Sequence, residues 1–224
     1  MTTAPQSTQP LIARAFAALR AGRGAEAEAL CRRALAARPG DARVLHLLGL
    51  ALKAQGRLEP AIEAMERAVD LDGRYVEALY NLANTLVQVG RAADAAERYR
   101  AVLEVKPDHG GAGVALGNAL QEAGRFDEAV AAYKTVLTRD PGDAAVLGNL
   151  AAAELKRGDA AAALAATDAV LARDPGNVRA VSYRTVALEM LGRGAEALSL
   201  ADPARFVFPI EIPCPAGWVG RGGG

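Results

Sequence analysis

Six glycines recur at a fixed interval: Gly22, Gly56, Gly90, Gly124, Gly158 and Gly192 lie 34 residues apart. Other landmarks keep the same step. Ala129 has counterparts at Ala27, Ala61, Ala95, Ala163 and Ala197. Pro141 has counterparts at Pro39, Pro107 and Pro175, with Gly73 in the remaining place. Around Gly124 the pattern explains itself. Leu116, Ala119 and Leu120 precede it at helical spacing, and Phe126, Ala129, Val130, Tyr133, Val136 and Leu137 follow it at the same spacing. A glycine between two such runs permits the sharp reversal that antiparallel helices need. Pro141 closes the second run, since it has no amide hydrogen and biases its predecessor away from the helical region. The unit is a helical hairpin, repeated along most of the chain.

This pattern resembles the tetratricopeptide repeat, a helix–turn–helix unit with a Leu-Gly pair, a mid-unit Gly, an Ala, an aromatic and a terminal Pro. Units start near Thr8, Ala42, Val76, Gly110, Ala144 and Val178. Those at Val76 and Gly110 match best, and the first and last are the most worn. The resemblance implies an all-α fold, a right-handed superhelix (α-solenoid) of about six helix pairs over residues 10–204.

Composition agrees. Apolar residues make up 51% but aromatics only 4%. Much of the apolar content is alanine, which favours helix and lets helices approach closely. Such a chain suits a lengthwise core in which each pair buries its face on the next. Formal net charge is zero, yet residues 8–41 carry six arginines against Glu26, Glu28 and Asp41, whereas 110–143 carry three basic and five acidic groups. No stripe of Lys and Arg interleaved with aromatics occurs, so no nucleic-acid partner is expected. No apolar run is long enough to span a membrane, and Met1–Pro10 does not read as a signal peptide. Cys31 and Cys214 lack metal or redox spacing. A cytoplasmic location is expected.

Residues 1–9 are polar and are expected to be disordered. Pro10 suits the first turn of a helix, Asp41 a helix cap, and Pro60 the first turn of the helix beginning near Arg57, where a donor is unneeded. The missing Cβ of Gly49 is expected to admit a neighbouring helix. After Asp202-Pro203 the pattern stops. Residues 205–224 are read as an irregular apolar tail, in which residues 206–213 hold Phe206, Val207, Phe208 and Ile210 and two prolines that exclude helix and any central strand. Two readings stand: the tail covers the last hairpin, or it leads into a further domain. It resembles the junction between repeat arrays and 2-oxoglutarate/iron oxygenase-like domains, although no His-X-Asp…His triad is present.

His46 and His109 are the only histidines and have no ligand cluster around them, so no metal is expected. No nucleophile elbow, phosphate loop or dinucleotide fingerprint occurs, so neither enzymatic activity nor a cofactor is expected.

Binding remains. In the family resembled, the first helix of each pair lines a concave groove through unit positions 2, 5, 6, 9, 12 and 13. Carried over, this puts Asn81, Asn84, Asn118 and Asn149 in the groove, with Tyr80, Tyr183 and Arg179. Each amide offers donors and an acceptor, so a row of them suits the backbone of an extended peptide, similar to the asparagine ladder of O-linked N-acetylglucosamine transferases. The alternative is that these amides simply face water. A two-carboxylate clamp for acidic C-termini is only partly matched. Asn118, Asn149 and Arg179 fit, but Val114 and Tyr183 stand where cations belong. Tyr80 and Tyr183 suit binding anchors, or Tyr80 packs on the next unit. The function expected is a non-catalytic scaffold for a peptide or partner helix. The alternative is the arm of a modification enzyme (glycosyltransferase, sulfotransferase or 2-oxoglutarate oxygenase type) whose catalytic domain lies outside this sequence.

Overall fold

The computed structural model describes residues 8–200. Among them are twelve α-helices and no strand: α1 (Gln9–Arg20), α2 (Gly24–Ala37), α3 (Ala42–Lys53), α4 (Leu58–Leu71), α5 (Val76–Gln88), α6 (Ala92–Val105), α7 (Gly110–Glu122), α8 (Phe126–Leu137), α9 (Ala144–Arg157), α10 (Ala160–Leu171), α11 (Val178–Met190) and α12 (Gly194–Leu200). Gln9 opens α1 and Thr8 before it is buried, so described order begins just inside the stretch assigned to the N-terminus. The tail, with Phe206, Phe208, Ile210 and Cys214, lies outside the described residues. None of the described helices is long and apolar enough to cross a membrane.

Each turn is built the same way. All six periodic glycines take positive φ, from +71° at Gly22 to +93° at Gly158, and no described non-glycine residue does. At Gly56 no atom lies within 4 Å of where a Cβ would stand, so backbone conformation alone selects glycine there. The residue after each glycine donates its N–H five residues back, as Arg57 does to the Leu52 carbonyl at 3.0 Å and Arg125 to the Leu120 carbonyl at 2.8 Å. This closes the orphan carbonyls of the first helix in each pair.

The chain divides into two compact units between Ala119 and Leu120, within α7. In the first unit each helix from α1 to α6 packs on the next, and α1 also meets α3, and α3 meets α5. The first helices of successive pairs thus stand side by side. The second unit repeats the scheme from α8 to α12, with α9 against α11. Burial follows the repeat. In the first unit Leu45, Leu52, Met65, Leu79, Leu82, Leu86 and Val102 are closed to solvent. Gly49 has the expected role: a Cβ there would stand 2.6 Å from Met65 Cγ and 3.0 Å from the Ala61 carbonyl oxygen. Cys31 is buried in the same core, and burial, with the Glu28 charge second, pushes its thiol up to about 11.

Caps also recur at one slot. Asp41, Asp143 and Asn177 stand just before α3, α9 and α11; Asp41 and Asp143 each accept two backbone N–H groups of the helix they precede, and Asn177 accepts one. Stepping by the repeat from Asp41 lands on Tyr75 and His109. His109 still serves, taking the Ala112 N–H on Nδ1 at 3.1 Å. Tyr75 does not cap α5.

Candidate functional site

α5 has two working faces. Ala78, Leu79, Leu82, Ala83 and Leu86 are buried, and Tyr80, Asn81, Asn84 and Val87 form a second, half-buried row. Three of the expected groove residues therefore share this helix in the first unit, and each is tied to a neighbour. Asn81 Nδ2 lies 2.9 Å from His46 Nε2, and His46 Nδ1 lies 3.0 Å from the Tyr75 hydroxyl. The His46 and Tyr75 rings meet edge to face, with centroids 5.0 Å apart. Asn84 Oδ1 accepts from the Tyr99 hydroxyl at 2.6 Å. Tyr80 packs against the rings of Tyr99, at 5.8 Å, and His109, at 4.8 Å. Both rings belong to the same repeat as Tyr80, His109 being its last residue. Gly111 leaves room for the Tyr80 hydroxyl, which would lie 3.3 Å from a Cβ there. Asn118 is exposed.

Electrostatics follow burial. His46 is 5% exposed, and desolvation, opposed by the nearby Glu77 charge, lowers its pKa to about 4. The imidazole is therefore neutral at pH 7. Burial pushes the Tyr99 hydroxyl up to about 12, so it stays a donor to Asn84.

In the second unit Arg179, on α11, crosses to α9. Its Nη2 donates to Asn149 Oδ1 at 3.0 Å and to the Ala145 carbonyl at 3.4 Å. The guanidinium carbon stands 5.8 Å from the Tyr183 ring centroid. Gly148 makes this possible, because a Cβ there would lie 2.4 Å from Arg179 Nη2. Tyr183 is 8% exposed and Leu155 is also buried, so both present little surface. Two of the three clamp-matching residues, Asn149 and Arg179, are thus brought together and bonded to each other.

Glu154 was not singled out in the sequence. It is fully buried, with Arg157 Nη2 at 2.6 Å and Lys134 Nζ at 3.1 Å. These are charge contacts without hydrogen-bond alignment at either carboxylate oxygen. The signal for it was present, since the series Leu52, Leu86, Leu120 and Leu188 holds one exception, at 154. The link from His46 to Asn81 had no such signal, because the two residues are 35 apart and neither side chain belongs to the repeat pattern. Among the described residues no group of three or more His, Cys, Asp or Glu could hold a metal ion.

Family models described as tetratricopeptide repeat match residues 8–74, 46–110, 80–144 and 120–182. Among solved structures, YrrB, described as a TPR protein with an unusual peptide-binding site, superposes with a TM-score of 0.70 at 20% identity, over 78% of this chain and 90% of that one. MamA from AMB-1 superposes at 0.67 with 27% identity, over 75% and 92%. A tetratricopeptide repeat protein from Parabacteroides merdae superposes at 0.69 with 19% identity, over 90% and 81%. No curated protein matches the chain by sequence.

Proposed function

The chain belongs to the tetratricopeptide-repeat family, and from that premise we propose that it is a non-catalytic scaffold holding an extended peptide or a partner helix on the first helices of its hairpins. One observation carries this reading. On α5 the residues that do not serve the core, Tyr80, Asn81 and Asn84, are held in place by His46 of α3, Tyr99 of α6 and His109, with Tyr75 behind His46. Amides facing bulk water need no such support. Fixing them beforehand lowers the entropy cost of binding. The likeness to YrrB, a peptide-binding repeat protein by its description, points the same way.

The groove set consists of Asn81, Asn84, Asn118, Asn149, Tyr80, Tyr183 and Arg179, with Arg179 and Asn149 as the polar pair of the second unit. The test compares partners captured by the wild-type chain with those captured by the Asn84→Ala, Asn118→Ala, Asn149→Ala variant at matched folded concentration. Loss of the specific partners is expected. Unchanged capture would move the site to the second helices or the tail and end the reading.

A further inference from the structure

The two asparagines of α5 stand one turn apart and are engaged in opposite senses. An amide nitrogen only donates, so Asn81 Nδ2, 2.9 Å from His46 Nε2, fixes that ring atom as acceptor. The ring hydrogen then sits on Nδ1 and is donated to the Tyr75 hydroxyl oxygen at 3.0 Å. Asn84 is held by its other end, its Oδ1 accepting from Tyr99 at 2.6 Å. What remains is Asn81 Oδ1, an acceptor, and Asn84 Nδ2, a donor. Neither has a partner among the described residues, and neither is a buried unsatisfied atom, so both meet solvent.

Tyr75 supplies a second, independent observation. It occupies the slot where Asp41, Asp143 and Asn177 cap their helices, yet α5 has no side-chain cap. The chain forgoes a stabilising cap and places a hydroxyl against His46 instead.

We propose that Tyr75, His46 and Tyr99 are positioning residues that fix α5 as an acceptor–donor pair, Asn81 Oδ1 and Asn84 Nδ2, for the N–H and C=O of a single residue in an extended peptide. In an extended strand one residue directs both groups to the same edge, which is how paired residues exchange two hydrogen bonds. The pair accepts any side chain at that register. It refuses proline or an N-methylated residue, which has no hydrogen for Asn81. This rests on the scaffold reading and specifies its ligand chemistry.

The test uses the full chain labelled with nitrogen-15 at asparagine and the capped peptide acetyl-Thr-Ala-Thr-Ala-Thr-amide, followed through side-chain amide resonances. Both side-chain amides are expected to move on titration, that of Asn84 because its Nδ2 donates to the peptide and that of Asn81 because its Oδ1 accepts from it. In His46→Phe, and more mildly in Tyr75→Phe, the Asn81 amide is no longer held and its response to the peptide is expected to shrink, while that of Asn84 persists. A purely structural role for His46 would lower thermal stability and leave the peptide response unchanged. The same peptide N-methylated at every residue should lose the shifts of both Asn81 and Asn84. Movement of only one of the two asparagines in the wild type, of other asparagine signals with neither, or an Asn81 response unchanged in both variants, overturns the inference and leaves the scaffold standing. No movement anywhere also overturns it, while the scaffold is judged separately by partner capture.

Discussion

Glu154 holds, one repeat later, the core position of Leu120, and both side chains are closed to solvent. The carboxylate is tolerated because Arg157 and Lys134 reach it from the surface at 2.6 and 3.1 Å. A buried ion pair seldom outweighs its desolvation cost. Glu154→Leu, which restores the repeat, should therefore leave stability unchanged or raise it by about 1 kcal/mol or more. Lys134→Ala with Arg157→Ala strands the charge and should cost about 3 kcal/mol. Chemical denaturation of both variants checks the pair, and a marked loss in Glu154→Leu would contradict it.

Gly49 and Gly148 both exclude a Cβ, for different reasons. At Gly49 the obstacles are Met65 Cγ and the Ala61 backbone oxygen, whereas at Gly148 the obstacle is the far end of Arg179. Gly49→Ala should lose about 1–3 kcal/mol through overpacking, partly offset by helix propensity. Gly148→Ala should change stability by roughly 0.5 kcal/mol or less, because the guanidinium can swing away. It should also break the Arg179–Asn149 bond, seen as a shift of the Asn149 side-chain amide signals.

The turn glycines predict a purely conformational cost. Gly56→Ala meets no atom within 4 Å but forces an L residue to a φ of +74°. A loss of about 1–2 kcal/mol is expected, with Gly56→Asn milder. Thermal melts of both variants decide it, and equal losses would mean that packing, not φ, selects glycine.

His46 sets an acid window. Its folded pKa, lowered to about 4 by burial, lies below the unfolded value of about 6.5. The unfolded chain therefore binds more protons between these values. The contribution is fully present above pH 6.5 and is lost as pH falls towards 4, totalling about 3 kcal/mol. Glu28, whose pKa is lowered chiefly by its hydrogen bond from Gln55, acts only below its ordinary range near 4.5, so the two windows are largely separate. Stability measured from pH 7 to pH 5 should slope in the wild type and flatten in His46→Phe.

Much of the fold is legible because the repeat is written in backbone requirements. A positive φ selects glycine, a missing donor permits proline only at helix ends, and close helices demand small side chains. These constraints act within a few residues, so they leave a mark in every copy. The proposed groove set was legible only as positions. Asn81, Asn84 and Arg179 could be placed on first helices, but not joined to His46, Tyr99 and Asn149.

The hairpin, its period, the identity of the turn residues and the family can all be read from the order of residues alone. Three things come only from packing: which end of each asparagine is engaged, that Tyr75 serves His46 rather than α5, and that Glu154 is paired from the surface. The reason is range. Local geometry is dictated by each residue and its chain neighbours, whereas hydrogen-bond direction depends on side chains about 15 to 35 residues away that only packing brings within 3 Å.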